Sequence, residues 1–204
     1  MTYTLAADGP SDRVLLPIIT WSIRQCDAEP VVEQWADFGR IPRQPNTEER
    51  LKTAFDLYPC DVLFVHRDAE GQAPGLRREE IADALRRSTI QHIPVIPVRM
   101  TEAWLLADET AIRSAAGNPN GTEDLNLPNV RRLEALPDPK AVLHDALTAA
   151  SGLNARRRSR FSVGRRVQLI PNYIDDYSPL EVLSAFRLLQ EDIRALIASR
   201  RALE

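Results

Sequence analysis

Four short apolar runs punctuate the first half of the chain, separated by polar, glycine-bearing and proline-bearing stretches. Thr2 to Ala7 (TYTLAA), Val31 to Phe38 (VVEQWADF), Val62 to Val65 (VLFV) and Gln91 to Met100 (QHIPVIPVRM) read as strands. Two prolines in the fourth run argue against pairing on both sides and predict an edge strand or irregular pairing. Segments of helical periodicity lie between the runs. Arg13 to Ile23 (RVLLPIITWSI) has an apolar face, with Ser11 placed as N-cap and Asp12 at the positive end of the helix dipole. Pro17 predicts a kink there, or a helix beginning nearer Val14. Thr47 to Tyr58 sets Leu51, Ala54, Phe55 and Tyr58 on one stripe and is stopped by Pro59. Leu76 to Ser88 is amphipathic, with Glu79, Glu80, Arg86 and Arg87 reading as a solvated face.

Beyond the fourth run the pattern is helical. TEAWLLADETAIRSAAG, opened by Thr101 and stopped by Gly117, reads as one helix with Leu105, Ile112 and Ala115 facing inward. Asn118 to Leu136 is irregular, Pro139 to Ala150 is helical, and Pro179 to Leu203 forms a long final helix. Strands alternating with helices imply parallel pairing through crossovers. The expected fold is therefore α/β: a Rossmann-like, mostly parallel sheet of about four strands flanked by helices over residues 1–117. Residues 118–204 are expected to form an irregular segment and a helical C-terminal extension packed on that core.

At 204 residues the chain can bury a substantial core as one large domain. Its net charge of −3 gives no global electrostatic argument for nucleic acid, so such binding must come from a local patch. One candidate patch exists: Asn154 to Arg166 carries Arg156, Arg157, Arg158, Arg160, Arg165 and Arg166. Guanidinium groups gain affinity for phosphates by releasing counterions; a solvated face or a protein contact is the other reading. Only Phe161 interleaves with them, so a stacking platform for single strands is not indicated. Cys26 and Cys60 have no metal-ligand or CxxC spacing and are expected as small buried hydrophobes in a reducing compartment. No signal peptide and no apolar run of about 18 residues is present, which predicts a soluble cytoplasmic protein without membrane contact.

The candidate chemistry gathers around DVLFVHRDAEG, Asp61 to Gly71. In an open α/β sheet, ligands bind beyond the carboxyl ends of the strands, where Asp68 and Glu70 would sit. Residues two apart in extended chain point the same way, so the two carboxylates, and His66 before them, would face one region. Clustered like charges need a cation, a proton or water to relieve them, which makes a hard divalent metal the sharp hypothesis. Ordinary loop acids are the plain alternative. Asp8 and Asp12 flank the exit of the first strand, where a turn and a cap would also account for them, and Glu102 follows the fourth run.

Acids at three strand ends, in ADGPSD (Ala7 to Asp12), RDAE (Arg67 to Glu70) and after the fourth run, resemble the TOPRIM pattern of topoisomerases, primases and overcoming-lysogenisation-defect (OLD) nucleases. With VRMTEAWLLAD (Val98 to Asp108) and YSPLEVL at the last helix, about 190 residues resemble bacterial TOPRIM-like proteins commonly encoded beside AAA or SMC-like ATPases in anti-phage defence neighbourhoods. The resemblance implies a metal-dependent phosphodiester nuclease using Mg²⁺ or Mn²⁺. Asp8 and Asp12 match the positions of one ion; Asp68, Glu70 and Glu102 match those of a second. Lys140 matches a lysine that assists the transition state, a solvent-exposed lysine at a helix start being its other reading. Asp8 stands where that pattern has Glu, and Glu70 where it has Asp, so reach changes by one methylene at each. The implied partners are nucleic acid, DNA or RNA, and an ATPase subunit, with a homo-oligomer also open. No Walker A motif occurs in the chain, so an ATP-driven step needs a separate protein. The alternative is a non-catalytic interaction module that binds the partner ATPase; a receiver-like or flavodoxin-like module is a weaker third reading.

Overall fold

The computed structural model describes residues 1–27, 29–39, 45–69 and 72–202. All four apolar runs form strands: β1 (Thr2–Ala6), β2 (Val32–Trp35), β3 (Val62–His66) and β4 (His92–Val95). They make one parallel sheet in the order β2-β1-β3-β4. Every residue of β3 is buried, as expected of a strand covered on both faces, whereas β2 at the far edge is exposed or half-exposed throughout.

The prolines of the fourth run have a specific placement. Gln91 and Val95 accept from Leu63 and Arg67 of the β3 side through their carbonyls. By alternation the polar groups of residue 94 face the open edge, so Pro94 withholds a donor where no ladder partner exists. A proline at such a place also blunts the edge against further strand addition.

Alternation along the strands divides the interior into two layers. Leu63 and Val65, with Ala6, pack against Leu51 and Ala54 of α2 (Thr47–Leu57) and Ile81 and Leu85 of α3 (Pro74–Leu85). Tyr3, Leu5, Val62 and Phe64 face the other way, toward Ile18 and Ile19 of α1 (Leu15–Arg24). Tyr3 and Phe64 meet edge-on with ring centroids 5.1 Å apart. Phe64 is fully buried, so truncation to alanine would cost about 3–5 kcal/mol. A 3₁₀ turn over Pro10–Val14 precedes α1, and Pro17 therefore falls in the first turn of the helix, where an N–H has no intrahelical acceptor to lose.

The helix expected over 101–117 is divided. α4 (Glu102–Leu105) ends, Asp108 adopts extended backbone and accepts the Ala111 N–H at 2.9 Å, and α5 (Glu109–Ala116) begins. Gly117 closes α5 at φ +84, a left-handed cap that glycine takes without steric penalty. α6 (Pro139–Ala150) follows the expected boundaries and is capped by Asp138. Two short helices, α7 (Ala155–Arg158) and α8 (Val163–Val167), carry the arginine run.

The final helix starts later than its sequence suggests. Ser178–Val182 is a 3₁₀ turn, Leu183 is extended, and α9 spans Ser184–Arg201. The cap comes from a distant residue: Glu134 accepts from the backbone N–H of Ser184 at 3.0 Å and of Ala185 at 2.8 Å, and from the Ser184 hydroxyl at 2.8 Å. A carboxylate there satisfies the first free donors and suits the helix dipole. Phe186 of α9 packs edge-on against Trp104 of α4 at 5.5 Å. One continuous apolar cluster runs from Tyr3 of β1 to Ile197 of α9, so the C-terminal segment and one sheet face share a core. Among the described residues no helix is long and apolar enough to cross a membrane.

Candidate metal centre

The chain leaves β1 toward β2 on one side of the sheet and leaves β3 toward β4 on the other. The carboxyl ends of β1 and β3 thus flank the point where strand order reverses, the place where open α/β sheets form a crevice. His66 ends β3, Asp68 follows two residues later, and Asp12 lies in the turn after β1.

His66 is buried, and both ring nitrogens have defined surroundings. Nδ1 lies 2.9 Å from the Val95 carbonyl oxygen. A carbonyl only accepts, so Nδ1 carries a proton there and Nε2 is the nitrogen that faces the acids. Around Nε2 stand Thr101 Oγ1 at 3.3 Å, Asp68 Oδ1 at 3.5 Å and Asp12 Oδ2 at 4.0 Å. Asp12 Oδ2 also accepts the Gly9 N–H at 3.0 Å, so this residue both closes its turn and faces the histidine.

Asp68 is the exceptional acid. Its Oδ1 is buried and has no hydrogen-bond partner among the described residues. Burial foremost, then the charges of Asp12 and Glu102, push its pKa up to about 6, against the opposing pull of His66 and of the Thr101 backbone N–H. Burial and the neighbouring acids thus outweigh what His66 and Thr101 offer the charged form. Glu102, in the first turn of α4, is mostly shielded from solvent, and the Lys140 ammonium at the start of α6 stands 4.0 Å from its Oε1.

Asp8 has a different environment. Its Oδ1 meets Arg50 Nη1 at 2.8 Å and its Oδ2 meets Arg67 Nε at 3.2 Å. Arg50 is itself held by the Ala7 carbonyl at 3.0 Å and lies over the Phe38 ring at 4.1 Å, and Arg67 also reaches Glu80 at 3.3 Å. Register accounts for the placement. Ala6 pairs with Val65, so continuing the parallel ladder sets Asp8 beside Arg67, on the α2 and α3 side, while His66 and Asp68 continue the side of Val62 and Phe64. Both Asp8 oxygens are engaged by guanidinium groups.

The expected acids are therefore distributed as follows. Asp12 and Asp68 meet at His66, Glu102 lies close enough to act on Asp68, and Lys140 stands at Glu102. Asp8 sits in an arginine clamp, and Glu70 lies outside the described residues. Among the described residues no three His, Cys, Asp or Glu side chains form a ready-made metal-ligand cluster. Thr101 escaped the sequence reading except as a helix opener; its position directly before Glu102, after β4, was the available signal. Of the arginine run, Arg157, Arg160, Arg165 and Arg166 line one cleft with Phe161, and Arg156 and Arg158 lie outside it. Compared with family models, with curated proteins and with solved structures, the chain finds no match.

Proposed function

We propose that this protein is a metal-dependent phosphodiester nuclease of TOPRIM-like type, working in the cytoplasm as the effector of a separate ATPase in an anti-phage defence system. The observation that carries the reading is the Asp68 carboxylate, with a buried oxygen that lacks a hydrogen-bond partner and with Asp12 and Glu102 adding their charges. The donor set fits a hard cation, because carboxylate oxygens suit Mg²⁺ and Mn²⁺. Asp68, Asp12 and Glu102 would hold it, and Glu70 follows Asp68 closely enough in sequence to join them. A bound divalent ion supplies charge neutralisation at a phosphodiester and a more acidic water.

The side chains of this protein then have separate tasks. His66, oriented by Val95, presents Nε2 to the acids and can take or return a proton there. Thr101 fixes that nitrogen through its hydroxyl. Lys140 is placed to meet a phosphate oxygen near Glu102. Asp8, in this reading, braces Arg50 and Arg67 at the rim and does not hold metal.

A second reading, a non-catalytic module that binds the ATPase, draws on that same arginine clamp, which occupies an acid the nuclease pattern assigns to metal. Incubating the purified chain with plasmid and Mn²⁺ or Mg²⁺, alone and with the ATPase, separates the two. Metal-dependent cleavage that disappears in Asp68→Ala supports the nuclease. Intact plasmid in both settings supports the module.

A further inference from the structure

We infer that Arg157, Arg160 and Arg165, set against Arg166, form a discrete phosphate-binding cleft that receives the nucleic-acid backbone beside the acidic centre. The identity of the polymer rests on the nuclease reading; the cleft itself rests on its own geometry. The cleft encloses about 460 Å³ between α7 and α8, with Leu153, Leu169 and Phe161 as its apolar walls and Ser162 among its polar groups. That is room for several phosphate groups or for a short stretch of backbone.

Arg166 is fixed in place. Its Nη1 donates to the Ala115 carbonyl at 3.1 Å, and its guanidinium lies 5.5 Å from the centre of the Phe161 ring. The other three are exposed, and among the described residues no carboxylate pairs with them. Other arginines that converge on a neighbour do so on acids, as Arg50 and Arg67 do on Asp8 and Arg78 does on Asp192; what marks these is that they gather around one concavity. In a protein of net charge −3, this concave group of guanidiniums has no carboxylate partner among the described residues. Converging cations raise the local potential, and a multiply charged anion relieves it. Arginine's planar fork matches phosphate oxygens in pairs.

The cleft also has a structural tie to the acids. Gln168, directly after α8, donates through Nε2 to the Ser11 carbonyl at 2.9 Å, and Ser11 precedes Asp12. The wall that carries Arg165 and Arg166 is therefore fastened to the loop that delivers Asp12 to His66. Arg156 and Arg158 take no part: Arg158 is turned back to the Leu153 carbonyl at 3.2 Å, and Arg156 does not line the cleft.

The decisive experiment compares two double variants that remove the same charge from the same run. Binding of a labelled oligonucleotide, single- and double-stranded, DNA and RNA, is followed by anisotropy in EDTA across a salt series, so that neither metal nor cleavage contributes. Arg157→Ala with Arg160→Ala is expected to weaken binding on the order of tenfold and to flatten the log–log salt slope by about 1.4–1.8. Arg156→Ala with Arg158→Ala is expected to change affinity less than about threefold, at an unchanged far-UV circular dichroism spectrum for both. Equal losses in the two variants, or no loss in either, would overturn the cleft. Competition with inorganic phosphate and tripolyphosphate identifies the ligand: weak inhibition by both supports a polymer, and tight binding of tripolyphosphate with no binding of any oligonucleotide overturns it. The two readings fail separately. If only the nuclease reading is wrong, oligonucleotides still bind and stay uncleaved with Mn²⁺. If only the cleft is wrong, cleavage persists in Arg157→Ala with Arg160→Ala at an unchanged KM.

Discussion

Two aspartates at neighbouring strand exits, Asp8 after β1 and Asp68 after β3, have opposite fates. Asp8 is half exposed and clamped by two guanidiniums. Asp68 is largely buried, faces a histidine and two further acids, and keeps one oxygen without a hydrogen-bond partner. The difference arises from parity. Asp8 continues the side of Ala6, where α2 brings Arg50, and Asp68 continues the side of Phe64 and His66, where α4 brings Thr101 and Glu102. One residue of register thus separates an acid paired with two guanidiniums from an acid that keeps a buried oxygen without a hydrogen-bond partner beside a histidine.

The contrast is broken most severely by Asp68→Asn. It keeps shape and removes charge, and it should lower metal-dependent cleavage more than about 100-fold, since even outer partners of metal sites are worth 10–100-fold. Plasmid nicking against time measures it. A variant that cleaves at the wild-type rate would remove Asp68 from the centre.

The same substitution should act on stability in the opposite direction. The folded-state pKa of Asp68 is raised, to about 6, so between the ordinary aspartate range and about 6 the folded protein holds a proton that the unfolded chain has released. Stability therefore falls as pH rises through that window and gains nothing back above it. In EDTA, thermal melts of Asp68→Asn should match the wild type near pH 4 and exceed it by a few degrees at pH 7.5. Equal melting temperatures at pH 7.5 would mean that the charge is compensated. Metal affinity of the wild type should rise over the same window as Asp68 gives up its proton.

Thr101→Val sharpens the account of His66. It deletes the hydroxyl 3.3 Å from Nε2 while keeping volume, and should lower cleavage by about tenfold with the pH–rate profile displaced. A rate loss with no displacement would indicate packing alone. Asp8→Ala gives the smallest effect. Exposed ion pairs are worth about 0–1 kcal/mol, so melting should shift by a few degrees at most and cleavage should stay within about threefold.

The sheet was largely legible because its signals are local. The run Val62 to Val65 is uninterrupted and apolar and forms a fully buried strand, and two prolines pointed to an edge strand or irregular pairing for the fourth run, which lies at the edge. Helix breaks were less legible because they depend on caps. Asp108 divides one apolar pattern into α4 and α5 through a side-chain acceptor, and Glu134 opens α9 from 50 residues away. The site divided along the same line. That His66 would point with Asp68 follows from alternation within one strand, and their atoms lie 3.5 Å apart. The clamp on Asp8 required the β1–β3 register and the position of Arg50, 42 residues away, and neither is written in the local pattern. The arginine run was visible as composition, but its division into four cleft residues and two others depends on how α7 and α8 turn.

Calorimetric titration of Mn²⁺ into wild-type protein, Asp68→Asn and Asp8→Ala at pH 7.5 tests the central claim most directly. Similar affinities are expected for wild type and Asp8→Ala, and a loss of at least about 100-fold in Asp68→Asn. Wild-type affinity in Asp68→Asn, or loss of binding in Asp8→Ala, would contradict it.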